Sequence, residues 1–485
     1  MTGIEPTDRR TEPNAGRQAE VASMFARHGP SYRTWAVVTV MLGTVSAVME
    51  ATIVNVALPE IIRAFDLGHD RVQLLSTGFL AATTASMLLS HWALCRFGLR
   101  RSYMGAVALL MACSVAAAFA PSFPLLAACR IGQGIIAGMV QPLAMVAITD
   151  VFPREARGRA MSAYGLGIVL SPAVGPAAGG LLVDHFGWRS VFLVTVPLCL
   201  AALALAPRYL VKGREGGPAT LDLPGLGLLA VALVMGLGGL AALYEEPLAA
   251  AVAVVAGLLF AVAFVAWQRI AARPLLDLRL LRHAGFGAAL AVATAYGMGI
   301  YGSTYLAPLF ARSVAGYSGL EAGLMLVPGG VMLAVVLVLA GRLADRLPTH
   351  RVAMAGLVCF AASALLMALV PAGIGFWWLA AIVTLGRIGL GFIIPGLNAG
   401  ALGLLPHGHE AGGSAAINFF RQLGGALGVT LLALFVEGRQ RAFTLAHPGD
   451  AAGRATAGIA EGFFLIALVY AMAVLAARRM APRTA

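Results

Sequence analysis

The sequence contains few charged side chains. Only 12% of its 485 residues are Asp, Glu, Lys or Arg, whereas 60% are hydrophobic. A chain of this composition has too little polar surface to enclose its apolar residues in water, which excludes an ordinary soluble domain. Apolar stretches of about 18 to 25 residues, long enough to cross a hydrocarbon core of about 30 Å, recur along almost the whole chain. The composition therefore predicts an all-α polytopic membrane protein.

Sequence features of several other protein classes are missing. The chain has no GxxxxGK[ST] phosphate loop, so an ion gradient rather than ATP hydrolysis is the expected energy source. Its cysteines lack the paired spacing of a zinc site or a disulfide framework, so no metal or other cofactor is expected. Residues 1–33 have no short apolar core with a cleavage site, so no cleaved signal peptide is expected.

Fourteen candidate spans can be placed along the chain. They begin near Thr34, Val72, Tyr103, Pro124, Ala160, Ser190, Gly225, Leu248, Phe286, Leu320, Val352, Phe376, Gly413 and Gly458. The nearly continuous apolar run from Pro224 to Trp267 is interpreted as two spans, because Tyr244 to Pro247 supplies a turn. An even number of spans returns the chain to its starting side.

Positive residues are concentrated in alternate loops. One set of loops contains six clusters of Lys and Arg, which begin at Arg96, Arg154, Arg208, Arg269, Arg342 and Arg478. Because positive loops stay in the cytoplasm, both termini are expected there, in a multi-pass protein of the cell (inner) membrane. The net charge of +12 is accounted for by these loops, so nucleic acid is not an expected partner.

Glu50 is an acid within the first apolar stretch, Thr34 to Pro59. A charge near the middle of a bilayer costs roughly 2.5–3.5 kcal/mol even on the permissive insertion scale, so such a carboxyl is kept neutral, paired, or placed beside a water-filled cavity. Each arrangement points to transport. A carboxyl that faces a cavity opening alternately to each side can load and release a proton.

Local motifs extend over most of the chain. The run TIVNVALP follows Glu50, and the fourth span contains Arg130, Gln133, Gly134, Gly138 and Pro142. The fifth span contains Gly167, Pro172, Gly175, Pro176, Gly179 and Gly180. These motifs resemble those of the major facilitators, and more narrowly those of the fourteen-helix drug/proton antiporters of the EmrB/QacA type, whose exporters have a fifth-span motif similar to this one. The similarity extends from about Thr34 to Ala477.

The resemblance implies a fold and a domain organisation. A major facilitator fold would place six-helix bundles at residues 34–210 and 273–477, each with an inverted internal repeat. Residues 211–272 would hold a cytoplasmic linker and two inserted helices, and residues 1–33 and 478–485 would be cytoplasmic tails. The substrate would bind between the bundles near the middle of the membrane.

The resemblance also implies roles for individual residues. Glu50 and Arg130 would couple transport to protons, with Arg130 facing the first span; the alternative is an Arg that extends to the membrane interface. Most relatives have Asp where this chain has Glu50. The loop after the second span has Cys95 where the family usually has Asp, so this gating loop is expected to be weaker or differently built. The corresponding loop of the second bundle keeps its acid within Gly341, Arg342, Asp345 and Arg346.

Candidate substrate contacts are aromatic and polar side chains of the spans. Tyr301 and Tyr305 share a face of the ninth span and could stack against a flat apolar cation, although ordinary packing would explain them equally well. The candidates for the cavity are Asn55, Gln133, Tyr296, Tyr301, Tyr305, Asn398, Asn418 and Arg421. The amides could instead bond helix to helix. Arg387 and Arg421 would suit an anionic or zwitterionic substrate if they face the cavity.

These observations predict a proton-coupled exporter of amphipathic drugs or toxic compounds that works by alternating access, without enzymatic chemistry. Its partners would be a small-molecule substrate, protons and the lipid bilayer. In a cell with an outer membrane, resemblance to EmrB implies a periplasmic adaptor and an outer-membrane channel as well. A dedicated exporter of one metabolite, lipid or siderophore is an alternative. A membrane module that has lost transport and serves in sensing or assembly is a second alternative.

Overall fold

The structure is a computed structural model that describes residues 12–66, 69–213, 221–272, 274–283, 285–317, 319–344, 346–371, 373–405, 409–447, 450, 453 and 456–481. In these ranges the regular secondary structure is helical, and no β-strand occurs. The predicted all-α fold class is therefore confirmed.

The helices follow one another with short connections. The N-terminal part forms α1 (Glu12–His28), α2 (Tyr32–Phe65), α3 (His69–Ser86), α4 (Leu89–Ala118), α5 (Phe123–Val151), α6 (Arg154–Phe186), α7 (Ser190–Leu193) and α8 (Val196–Tyr209). A hairpin follows, formed by α9 (Leu223–Ala241) and α10 (Pro247–Ile270). The C-terminal part forms α11 (Phe286–Ser313), α12 (Gly319–Leu324), α13 (Leu326–Ala344), α14 (Thr349–Leu369), α15 (Phe376–Gly403), α16 (Glu410–Ala446) and α17 (Ile459–Arg478).

Most of these helices can cross a membrane. In the described ranges, 11 helical segments are long and apolar enough to do so. Three more helices, α3, α6 and α11, lie where spans were predicted and have 18, 33 and 28 residues. A multi-pass membrane protein is thereby confirmed, whereas the number of fourteen crossings stays a prediction.

The loop expected between the second and third spans is short. Helix α4 begins at Leu89 but is interrupted at Gly98, which has φ 74° and ψ 172°, so the helical segment of the third span begins just after this glycine, near the predicted start at Tyr103. Glycine adopts this backbone conformation without a steric penalty. Ser102 Oγ donates to the carbonyl oxygen of Ala93 across the interruption (2.7 Å). The loop containing Cys95 is therefore largely helical.

Helix packing separates the chain into groups. Helix α2 packs against α5, α6 and α8, and α5 also packs against α3 and α4. In the C-terminal part, α14 packs against α15 and α17, and α11 packs against α16. Contacts between the two parts include those of α6 with α13 and of α3 with α16. The domain boundaries at residues 34–210 and 273–477 stay a prediction.

The α9–α10 hairpin is held at both ends. At one end the Asp222 carboxylate accepts hydrogen bonds from Trp267 Nε1 and Gln268 Nε2, both at 2.8 Å. At the other end Arg441 of α16 donates to the carbonyl oxygen of Tyr244 at 3.0 Å, with its guanidinium 4.7 Å from the Tyr244 ring centroid. The turn expected at Tyr244 to Pro247 is present between the two helices.

Candidate functional site

Glu50 lies within α2, and its side chain is completely buried. Its Oε1 atom accepts hydrogen bonds from Ser114 Oγ of α4 (2.9 Å) and from Thr195 Oγ1 at the start of α8 (2.8 Å). Its Oε2 atom lies 3.3 Å from Nη1 of Arg130, which belongs to α5. Three neighbouring helices therefore supply donors to one carboxylate.

Arg130 is directed into the protein. Its Nη2 donates to the backbone carbonyl oxygen of Glu50 (3.2 Å), and its Nη1 also donates to Gln133 Oε1 (2.9 Å). The guanidinium lies 4.3 Å from the centroid of the Phe79 ring, a cation–π contact. Because only 1% of Arg130 is exposed, an Arg that extends to the membrane interface is excluded here. The buried pair is the arrangement that membrane-embedded charges require.

Gln133 closes this set of contacts into a ring. Its Nε2 donates to Ser114 Oγ (2.9 Å), which in turn bonds Glu50. We call Glu50, Ser114, Arg130, Gln133 and Thr195 the Glu50 network. The sequence had not pointed to Ser114 or Thr195, because hydroxyl groups in membrane helices commonly bond their own helix, as Ser114 does to the Leu110 carbonyl at 2.9 Å.

The chemistry available to the Glu50 network is proton exchange. Each member is 0–1% exposed, so the carboxylate is sealed from both sides of the membrane in this conformation. Protonation of the carboxylate would remove its attraction for Arg130 and turn one oxygen into a donor. In the part of the chain that the structure describes, no three His, Cys, Asp or Glu side chains come together as a metal site would require.

The glycines of the fifth-span motif lie against the helix that carries Glu50. A Cβ atom added at Gly167 would lie 2.6 Å from Met41 Cγ, at Gly175 2.7 Å from Thr52 Oγ1, and at Gly179 2.8 Å from Ile53 Cγ1. Small residues allow helix backbones to approach closely in a membrane. The side chains of Pro172 and Pro176 lie outside the described residues.

The close packing of Gly179 against α2 leads to a prediction about stability. Gly179→Val is expected to destabilise the protein by about 1–3 kcal/mol, the usual cost of adding side-chain volume to a packed interior. Thermal unfolding of the purified protein in detergent measures the effect. Gly180→Val is the matched control, since a Cβ there would meet its nearest atom, Val56 Cγ1, only at 3.9 Å. Equal melting temperatures for the two variants would contradict this account of the motif.

The candidate substrate residues do not all share one environment. Tyr296 is buried, with 1% exposed, whereas Tyr305 is 36% exposed. Tyr301 lies between these two tyrosines in the sequence, and its hydroxyl donates to Gln422 Oε1 of α16 (3.2 Å). Asn398 is half-buried in α15. The side chain of Asn55 lies outside the described residues.

Asn418 and Arg421 connect the two parts of the chain. Arg421 Nη2 donates to Gln141 Oε1 of α5 (2.8 Å). One turn away, Asn418 Nδ2 lies 3.2 Å from Met145 Sδ of the same helix. These contacts lie in the halves of α5 and α16 nearer to the predicted cytoplasmic side. They join α5 to α16 there.

The second gating loop is partly described. Gly341 is buried near the end of α13, and Arg342 and Arg346 are exposed. Asp345 lies outside the described residues. In the loop with Cys95, Arg100 Nη1 donates to the Pro207 carbonyl oxygen of α8 (3.1 Å), so this region is held by bonds of its own.

Comparison with known proteins gives a family match and several relatives. The family model described as Major Facilitator Superfamily matches residues 40–429. The puromycin resistance protein pur8 of Streptomyces alboniger is 30% identical over 470 residues, which are 93% of this chain and 91% of that protein. A multidrug resistance protein B homolog of Mycobacterium tuberculosis is 29% identical over 405 residues, or 82% of this chain and 75% of that protein.

A solved structure shares the fold. The proton:xylose symporter XylE, described as a major facilitator, superposes with a TM-score of 0.64 at 15% sequence identity. The match covers 92% of this chain and 95% of that one.

Proposed function

The chain belongs to the Major Facilitator Superfamily and is a multi-pass membrane transporter, and we propose that it is a proton-driven exporter of amphipathic drugs or similar toxic compounds. The observation that carries the proposal is the Glu50–Arg130 pair, buried and sealed within the membrane-spanning helices. An isolated buried ion pair is weak evidence for stability, because desolvation offsets most of the attraction. A role in proton exchange therefore explains the buried Glu50–Arg130 pair better than a contribution to stability does.

The proposed cycle alternates between two states of the Glu50 network. In the described conformation the carboxylate is ion-paired with Arg130 and bonded by Ser114 and Thr195. A proton that reaches Glu50 weakens the ion pair, so that Arg130 and the helices it joins can rearrange. Proton and substrate then favour opposite states of the transporter through their different affinities for each state. Glu50 carries one proton per cycle.

The names of relatives support the drug class. Relatives that match more than four-fifths of the chain are named as puromycin resistance and multidrug resistance proteins. The glycine motif packed against α2 is similar to that of the family's exporters. We propose a cell-membrane location with both termini cytoplasmic, on the basis of the positive loops. In a cell with an outer membrane, we propose that the outer end of α16 contacts a periplasmic adaptor.

Transport into everted membrane vesicles tests the proposal. An imposed pH gradient, acidic inside, is expected to drive uptake of at least one of three compounds: the cation ethidium, the anion 8-anilinonaphthalene-1-sulfonate or the neutral N-phenyl-1-naphthylamine. Uptake should stop when a protonophore removes the gradient. Vesicles without the protein are the control for passive partition. Uptake that persists after the protonophore would overturn proton coupling, and no uptake of any compound would overturn the drug-exporter proposal.

A further inference from the structure

Two arginines of the C-terminal part lie in membrane-spanning helices without an acidic partner among the described residues. Arg421 bonds the amide oxygen of Gln141, and Arg387 of α15 bonds the hydroxyl of Thr304 through its Nη2 at 3.1 Å. By contrast, Arg130 of the N-terminal part is neutralised by Glu50. The described C-terminal helices therefore carry uncompensated positive charge within the membrane, which is costly unless an anion joins it.

Three tyrosines lie within electrostatic range of Arg421. Tyr296, Tyr301 and Tyr164 each interact electrostatically with Arg421, and Tyr296 also does so with Arg387. Only 1% of Tyr296 is exposed, and its hydroxyl has no hydrogen-bond partner among the described residues. A buried hydroxyl without a partner is unfavourable, and it marks a place where a bound group could complete the bonding.

The helices around Arg421 come from both parts of the chain. Gln141 belongs to α5 and Tyr164 to α6, whereas Tyr296 belongs to α11. Because Gln141 uses its oxygen to accept from Arg421, its amide N–H groups remain as donors. Arg421 and the Gln141 amide thus present N–H donors, and the Tyr296 hydroxyl can donate as well. This combination is suited to the several acceptor oxygens of a carboxylate, sulfonate or phosphate group.

We propose that the donors that α5, α11 and α16 contribute around Arg421 bind the anionic group of a transported compound. Arg421 is its charge partner, the Tyr296 hydroxyl is its second donor, and Arg387 adds longer-range attraction. The inference rests on the proposed export function and assigns its substrates to acidic or zwitterionic amphiphiles. The bond between Arg421 and Gln141 would be exchanged for a bond to the substrate, so binding would also loosen the contact that joins α5 to α16.

Two matched probes test the inference. The sulfonate 8-anilinonaphthalene-1-sulfonate and N-phenyl-1-naphthylamine share one ring system and differ in the sulfonate group. Fluorescence titration of the purified protein in detergent is expected to show saturable binding of both. Arg421→Gln should weaken sulfonate binding by about 100-fold and leave binding of the neutral probe within about threefold. Arg312→Gln, at the exposed end of α11, is the control for loss of one positive charge.

Tyr296→Phe separates binding from folding. The change removes a hydroxyl that has no hydrogen-bond partner among the described residues, so the melting temperature without ligand should stay the same or rise. Sulfonate binding should nevertheless weaken by about tenfold. A structural hydroxyl would instead lower the melting temperature and leave binding unchanged, which would overturn the inference.

Other outcomes would also overturn it. These are the absence of saturable sulfonate binding in the wild type, equal affinities in the wild type and Arg421→Gln, and full displacement of the sulfonate by chloride at physiological concentration, which would make the site one for a small inorganic anion. Proton-driven uptake of the neutral probe alone would leave the export proposal standing while this inference fails. The binding titration needs no transport, so failure of export does not affect its result.

Discussion

Replacing Glu50 by glutamine is expected to abolish substrate-driven proton release while substrate exchange across the membrane continues. Glutamine retains the length and polarity of the side chain but cannot take up and release a proton. The hydrogen bonds from Ser114 and Thr195 can be kept by the amide oxygen. The expected loss of coupling is therefore complete, at least 100-fold. The melting temperature should also fall, because the buried Arg130 guanidinium loses its carboxylate partner. Proton release is measured with a pH-sensitive dye in weakly buffered detergent solution.

Glu60→Gln is the matched control for this experiment. Glu60 lies on the same helix, ten residues nearer its C-terminal end, and is half-buried rather than sealed. The control should release protons like the wild type. Counterflow of labelled substrate in liposomes reports exchange without net proton movement, so it distinguishes an uncoupled transporter from an inactive one. Proton release by Glu50→Gln at the wild-type level would move the coupling site elsewhere.

Replacing Arg130 by glutamine is expected to have the largest effect on stability. The variant leaves the Glu50 carboxylate buried with two hydroxyl donors and no cation, and breaking a buried ion pair typically costs about 3–5 kcal/mol. Arg130→Lys should recover the charge but not the second bond, from Nη2 to the Glu50 carbonyl oxygen. The loss is measured as a lower melting temperature of the purified protein.

The double variant Glu50→Gln with Arg130→Gln distinguishes a charge effect from a packing effect. Removal of both charges should restore most of the stability lost in Arg130→Gln, since no uncompensated charge remains buried. Proton coupling should stay absent. Arg189→Gln, at an exposed position beside Trp188, controls for general loss of an arginine. A double variant as unstable as Arg130→Gln would show that the guanidinium acts through packing on Phe79 rather than through Glu50.

The contact between Glu50 and Arg130 could be anticipated because ionisable residues are rare in membrane-spanning sequences and therefore easy to notice. The structure places the two side chains in contact, whereas their role in proton coupling stays a prediction. Ser114 and Thr195 could not be singled out in the same way. Hydroxyl residues occur throughout these helices, and only their position around the carboxylate, from two separate helices, sets them apart.

The burial and hydrogen bonding of the tyrosines of α11 also could not be predicted from the sequence. Helical periodicity separates Tyr296 from Tyr301 and Tyr305, but it cannot show that Tyr296 is the buried one or that its hydroxyl is unpaired. The short length of the loop around Cys95 was not anticipated either, since the backbone is helical on both sides of Gly98.

Helix α16 is longer than a membrane span requires, and it is in contact with other helices at both ends. Its 37 residues extend for about 55 Å, well beyond a hydrocarbon core of about 30 Å. Its inner half contacts α5 through Arg421 and Asn418, and its outer end is fastened to the α9–α10 turn through Arg441. A tilt of about 10° at the inner end would displace the outer end by about 10 Å. Movement at the proposed substrate site would thus be amplified and carried to the far surface, together with the hairpin.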